Sequence, residues 1–248
     1  MGNNYYSKYA PKILLHHLLN RYFMPFKSKQ VQLSAIASPI DEVSTTTKYL
    51  FDLALDAAKA GYDLDLSMIE ERGTAEFKYV NIYPGEHYKL LAGLMKVLQP
   101  KVVIEIGTFL GQSALTMKAF MPKESTLYTF DIHPWHRFDA TYLKASDFEE
   151  GQLVQHLDDL TKIENFQKHK DIIENADFIF IDAMKDGVQE LEFLNNMETM
   201  RLKPNCIIMF DDIRVWNMVK IWRNIKQPKL DITSLGHWSG TGLIHWNG

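Results

Sequence analysis

Cysteine is almost missing from this 248-residue chain: it occurs once, as Cys206, inside an apolar run. A single thiol excludes a disulfide framework and a thiolate metal cluster, and it fits a reducing, cytoplasmic setting. Long apolar runs are missing too. Without a stretch of about 18 apolar residues, or a basic n-region leading into an h-region and cleavage site, neither a membrane span nor a signal peptide is expected. Charge of one sign is also scarce, since a formal net charge of -4 gives no global attraction to nucleic acid or to an anionic membrane. Repeats and low-complexity tracts are not evident. What is there is an ordinary globular composition, 46% hydrophobic and 23% charged, long enough for one α/β domain with an appendage.

The stretch that organises the chain is Lys101 to Ser113, KVVIEIGTFLGQS, followed by Leu127 to Asp131, LYTFD. Val102, Val103, Ile104 and Ile106 form a β-branched run that predicts a strand buried on both faces. From Gly107 to Gly111 the chain must turn sharply into a helix, and glycine there lets a ligand lie against bare backbone. The second run ends in Asp131, where a strand-end carboxylate can accept hydrogen bonds from ribose hydroxyls. A tight turn with a solvated Asp is the bland alternative. Glu105 lies two residues before Gly107, there is no third glycine and no GK[ST], so neither the dinucleotide nor the P-loop pattern is met. A carboxylate at that place suits a ligand carrying an ammonium better than one carrying a pyrophosphate.

Other strands are expected at Leu153 to Leu157, Ala176 to Ile181 and Cys206 to Phe210, with a terminal hairpin from Leu230 to Leu235 and Thr241 to Trp246. Helices are expected over Glu86 to Leu98, Gln112 to Met121, Phe138 to Glu150, Gly187 to Met200 and Val215 to Ile225. The fourth strand stops at Asp182, with Lys185 three residues on; the fifth stops at Asp211 and Asp212. In an open parallel sheet the carboxyl edge is where ligands bind. Acids converging there repel one another and call for compensation, most simply by a hard divalent cation such as Mg²⁺, which favours oxygen ligands. Ser113 can cap its helix or reach a ligand carboxylate. His133 and His136, in HPWHRFD, read as surface or substrate-contact histidines without further metal ligands at suitable spacing.

Residues 1 to 40 carry Lys8, Lys12, Arg21, Lys27 and Lys29 with no acid, interleaved with tyrosine and phenylalanine. A helix packing on the core or on a second subunit is the favoured reading, and an interfacial helix near Ile13 to Phe23 the alternative. A further helical pattern covers residues 41 to 60.

With these motifs, ExGxxxG and the acid-ended second strand, the sequence resembles the class I S-adenosylmethionine-dependent methyltransferases from about Asn81 onward. Within that class it is most similar to the metal-dependent O-methyltransferases of the catechol and caffeoyl-CoA type, which place a ligand Asp at the end of strand 4, three residues before a lysine, and an acid-plus-amide pair at the end of strand 5. Here Asp212 stands where those enzymes have asparagine. The resemblance implies a doubly wound, mostly parallel seven-stranded α/β sheet over residues 76–248, and a helical lid or dimer arm, with a possible homodimer, over 1–75. It implies S-adenosylmethionine held by Tyr83, Glu105, Gly107, Phe109, Ser113, Asp131, Asp159 and Asp182. Asp159 would meet the adenine unless it caps a helix, where Thr161 and Glu164 offer a competing capping box. It also implies Mg²⁺ on Asp182, Asp211 and Asp212.

The expected reaction is methylation of an oxygen on a small hydroxyl-bearing substrate, with Lys185, its pKa lowered by cationic neighbours and partial desolvation, as base. A solvent-facing Lys185 paired with Asp182 or Asp186 is the plain alternative. Metal-independent O- or N-methylation, an NAD-linked oxidoreductase and a non-catalytic nucleoside-binding protein are the competing functions. Trp216 stands where catechol-type enzymes wall the substrate pocket.

Overall fold

The apolar runs become the strands of one sheet in the computed structural model, which describes residues 44–73 and 78–246. In chain order they are β1 (Val102–Ile106), β2 (Thr126–Phe130), β3 (Leu153–His156), β4 (Phe178–Ile181), β5 (Cys206–Asp211), β6 (Lys229–Asp231) and β7 (Thr241–Trp246). They lie side by side as β3-β2-β1-β4-β5-β7-β6. β1 to β5 run parallel, and β7 runs antiparallel to both β5 and β6. This is the doubly wound seven-stranded sheet with a C-terminal antiparallel hairpin that the sequence led us to expect. The strand order reverses between β1 and β4, so the carboxyl ends of those strands open a crevice.

Helices cover both faces: α1 (Lys48–Tyr62), α2 (Ser67–Glu70), α3 (Tyr88–Leu98), α4 (Gln112–Phe120), α5 (Ile163–Lys168), α6 (Lys170–Glu174), α7 (Gln189–Glu198) and α8 (Met218–Asn224). Side chains of a strand alternate between faces, and the core divides accordingly. Val103, Phe178, Phe180, Ile207 and Met209 pack with α1, α3 and α4, whereas Ile104, Ile106, Ile179, Ile181 and Ile208 pack with residues of α5 to α8. Each fully buried side chain of this size contributes about 1.5–3 kcal/mol.

α1 belongs to the same apolar core as the sheet. Its approach to α3 is close enough that a Cβ on Gly93 would stand 2.0 Å from the Ala57 carbonyl oxygen. Of the lid or dimer arm expected over residues 1–75, the basic, aromatic segment of residues 1 to 40, with the helix expected near Ile13 to Phe23, lies outside the described residues, whereas α1 and α2 contribute to the core.

The helix expected over Phe138 to Glu150 is not there. That stretch is turns and loop around one 3-10 turn, Ala145–Phe148. Tertiary partners have claimed its backbone: the Tyr142 amide donates to the Leu110 carbonyl at 2.9 Å, and Lys118 Nζ donates to the Asp147 carbonyl at 2.6 Å. Asp147, buried, receives Arg72 at 2.8 Å and the Lys144 amide at 2.7 Å.

Candidate active site

Two neighbouring features occupy the carboxyl edge of the sheet. The first is the turn after β1. Asp131, just past β2, accepts the Thr108 and Phe109 amides on Oδ2 at 3.1 and 3.0 Å and the His133 amide on Oδ1 at 2.9 Å. The Gly107 amide donates to Phe130 O at 2.9 Å. Asp131 therefore sits at the mouth beside Gly107, as expected, and Phe109 stands out from the turn at 58% exposure with a positive φ of 41°. Phe109 is met edge-on by Phe138 at 5.1 Å.

Both glycines hold the positive φ that the sharp turn was expected to need, and their bare backbone also lets other protein close in. A Cβ on Gly107, where φ is 105°, would stand 2.1 Å from the Asp182 carbonyl oxygen, and one on Gly111 would strike the Leu143 side chain at 2.3 Å. Bare backbone here lets strands and a loop close on one another.

Glu105 and Ser113, expected at the cofactor, are instead turned toward each other inside the protein. Glu105 has no exposed surface, Ser113 Oγ donates to its Oε1, and Thr129 Oγ1 donates to its Oε2. Ser113 accordingly does not cap α4, which begins after Gly111. Burial pushes the Glu105 carboxyl up to about 8, against the pull of those two hydroxyls. Because the folded pKa lies above the unfolded value, stability is intact below the ordinary carboxyl value of 4.5 and is lost as pH climbs through about 8. Glu105→Gln is expected to remove that loss, on the order of 5 kcal/mol as an upper bound. Melting curves at pH 5 and pH 9 check it: the variant gains at the higher pH only.

Asp159 is taken up by a local turn rather than left open: its Oδ1 accepts the Thr161 amide at 2.9 Å and the Thr161 hydroxyl at 2.6 Å. The competing capping box at Thr161 and Glu164 does not form either, since α5 starts after Lys162 with no side-chain cap. Tyr83 is half-buried against the core, its hydroxyl has no hydrogen-bond partner, and burial raises its pKa to about 12. His136 is exposed, and His133 Nδ1 lies 2.8 Å from Arg137 Nη1.

The second feature is a cavity of about 340 Å³ lined by Tyr79, Glu86, His87, Tyr88, Asp182, Lys185, Asp211, Asp212 and His237. The strand-end acids do converge. Lys185 bonds Asp182 directly and lies 3.2 Å from Asp212. Lys185 and Asp212 each sit at φ 58°, a strained value for a residue with a Cβ, in loops whose hydrogen bonds impose it. Buried Glu190 ties the first loop, accepting the Lys185 amide at 2.7 Å and the Gly187 amide at 3.0 Å. Ser239 Oγ donates to Asp212 Oδ1 in the second.

Electrostatics divides the acids. Burial, reinforced by Asp211, raises Asp182. Asp211 is held well below the usual carboxylate range: burial opposes this, and His87 and His237 overcome it. Asp212 is also lowered, by His237, Ser239 and Lys185 against burial. The Lys185 pKa moves opposite to the expected direction. Burial alone would lower it, but the Asp182, Asp212 and Asp211 carboxylates together raise it, so the lysine is an ion-paired ammonium.

Sequence reasoning missed His87, His237 and Glu86. His237 Nδ1 stands 3.3 Å from Asp211 Oδ2 and its Nε2 3.2 Å from Glu86 Oε2. An isolated bridge between Gly85 and His237, with the Trp238 amide on Gly85 O at 3.3 Å, draws the two loops together. Nothing in the local sequence marks either histidine, because the pairing spans most of the domain.

Trp216, with a Trp's usual place being the core, is here 63% exposed; Trp238 and Met184, in other loops of the same edge, are exposed at 68% and 66%. Among the described residues no helix is long and apolar enough to cross a membrane.

Comparison with known proteins agrees with this architecture. The chain is 26% identical over 152 residues to Probable caffeoyl-CoA O-methyltransferase 3 of Dictyostelium discoideum, covering 58% of this chain and 57% of that protein. It is 29% identical over 133 residues to Caffeoyl-CoA O-methyltransferase 2 of Zea mays, covering 50% and 46%. The chain thus spans about half the length of the curated relatives it matches. A Staphylococcus aureus crystal structure described as a caffeoyl-CoA O-methyltransferase superposes with a TM-score of 0.53 at 16% identity, over 80% of this chain and 98% of that one, which speaks for the fold. With an O-methyltransferase family model matched over residues 53–227, well over half its length, the chain belongs to the O-methyltransferase family.

Proposed function

We propose that the protein transfers the methyl group of S-adenosylmethionine to an oxygen of a small hydroxyl-bearing substrate, beside a divalent cation. The observation that carries this is one sheet edge on which the Gly107–Asp131 mouth adjoins a cavity lined by Asp182, Lys185, Asp211 and Asp212. Asp131 and the Thr108 and Phe109 backbone would receive the adenosine end. A buried His87 imidazole and an Asp211 oxygen without hydrogen-bond partners fit an ion better than they fit each other. When bound, S-adenosylmethionine supplies an electrophilic methyl group, and the cation makes a nearby hydroxyl more acidic. With Asp182, Asp211 and Asp212 engaged by the cation, Lys185 would release its own proton to solvent and, neutral at Nζ, would accept the proton of that hydroxyl as the methyl group leaves its sulfur. Exposed Phe109, Trp216 and Trp238 suit a planar substrate such as a phenol, the kind of acceptor the relatives' names suggest.

Metal-independent methylation is the second reading, and one observation favours it: Lys185 already bridges Asp182 and Asp212. Calorimetric titration with S-adenosylhomocysteine, NAD and a divalent cation separates the readings. Heat from the thioether and from the cation supports the first, thioether binding alone supports the second, and NAD binding without a thioether response overturns both. Lys185→Met is expected to lower turnover of a catechol about 10²- to 10⁴-fold, with thioether affinity little changed. Full turnover would remove Lys185 as the base.

A further inference from the structure

His87 is the side chain in this site whose chemistry is least satisfied. It is 3% exposed, stands between the rings of Tyr88 and Phe180 at 4.5 and 5.3 Å, and neither ring nitrogen has a hydrogen-bond partner. Asp211 Oδ1 is equally buried and likewise makes no hydrogen bond; it faces His87 Nδ1 at 3.4 Å as an ion-pair contact only. Burying two such polar atoms face to face costs free energy unless something lies between them.

The spacing is one that a shared ion would also fit. Two ligand atoms held about 2.0–2.2 Å from one ion lie about 3.0–3.4 Å apart when the angle between them runs from a right angle to tetrahedral. His87 Nδ1 to Asp211 Oδ1 is 3.4 Å, and His237 Nδ1 lies 3.3 Å from Asp211 Oδ2 and 3.5 Å from Asp212 Oδ1. His87, Asp182 and Asp211 form one group with ligand atoms all within 4.8 Å of one another; Asp211, Asp212 and His237 form a second. Asp211 is common to both. A set of carboxylates alone would suit Mg²⁺, but imidazole nitrogen shifts preference toward first-row transition metals, which bind it far better than Mg²⁺ does.

We propose that His87 and His237, each in a triad that Asp211 shares, add imidazole nitrogen to the carboxylate ligands of a metal ion here, so that the site selects a transition-metal dication, in the range from Mn²⁺ to Zn²⁺, over Mg²⁺. The proposal rests on the metal-assisted reading above and names which metal that reading requires. The arrangement is built by the fold: the Gly85–His237 bridge carries one imidazole to the cavity, and the turn into α3 carries the other beneath it.

The direct test uses the unmodified 248-residue chain loaded with Mn²⁺, read by electron spin-echo modulation. Nitrogen modulation that changes frequency when histidine is isotopically labelled is expected; its absence reduces His87 and Asp211 to a buried ion pair and overturns the proposal. Calorimetry supplies the second arm, with Co²⁺ expected to bind on the order of 100-fold more tightly than Mg²⁺. His237→Gln, at the more accessible of the two positions, is expected to cut that ratio about tenfold while leaving Mg²⁺ affinity nearly unchanged. An unchanged ratio overturns the assignment of His237. Titration with S-adenosylhomocysteine is run alongside. Nitrogen ligation without thioether binding would sink the methyltransferase reading and leave the metal assignment standing, whereas thioether binding with a nitrogen-free Mn²⁺ signal would do the reverse.

Discussion

Gly107→Ala is expected to lower the melting temperature by about 10 °C and to abolish binding of S-adenosylhomocysteine. The glycine sits at φ 105°, and the new Cβ would fall 2.1 Å from the Asp182 carbonyl oxygen and 2.9 Å from the Asp182 carbonyl carbon. Neither neighbour is the free end of a side chain. Asp182 is fixed where it is because its amide donates to Ile106 O at 2.9 Å, so relief requires β1 and β4 to part at the crevice itself. Backbone strain of about 1 kcal/mol and overpacking of about 1–3 kcal/mol add at this one point. In a domain of this size each kcal/mol shifts the melting temperature by about 2–4 °C. Gly151→Ala is the control: its φ is also positive, 71°, but nothing lies within 4 Å of a Cβ there, so only the conformational part remains. Equal losses in the two variants, followed by calorimetry and thermal melting, would defeat the steric account.

Asp211→Asn is expected to weaken binding of a divalent cation at least about 100-fold, with methyl transfer falling by a similar or larger factor. Asp211 is 3% exposed and is the carboxylate shared by the two candidate ligand groups. Asparagine keeps its shape and one oxygen but removes the charge that a cation needs and that His87 and His237 now neutralise. Freed of the carboxylate, those imidazoles can shed protons, so folding is expected to survive. Asp158→Asn tests whether any acid beside a histidine would do. Asp158 also sits with His156 and His169, but Lys168 bonds it at 2.8 Å and His169 at 2.7 Å, leaving it satisfied. Metal affinity that drops in the Asp158 variant and not in the Asp211 variant would place the cation elsewhere.

The sequence carried the sheet well because the strands are short apolar runs, and a run buried on both faces needs no knowledge of its neighbours to be recognised. Each polar residue that ended such a run, Asp131, Asp182 and Asp211, is found at the carboxyl edge, because a carboxylate that could not be paired inside the sheet has to stand where the apolar run stops. The stretch from Phe138 to Glu150 was misread because its helix-compatible pattern is weaker than the pull of Leu110, Lys118 and Arg72, all distant in sequence. Propensity is a weak prior where tertiary partners take the backbone groups.

By itself, then, the chain determined the α/β sheet, its strand ends and the acids gathered there, since these follow from local hydrophobic patterning. Only the tertiary structure decided that Glu105 and Ser113 turn inward, that Lys185 is held charged, and that His87 and His237 stand beside Asp211. Those outcomes depend on burial and on the net field of groups from separate loops, and both come into being only once β1, β4, β5 and the turn before β7 are packed side by side.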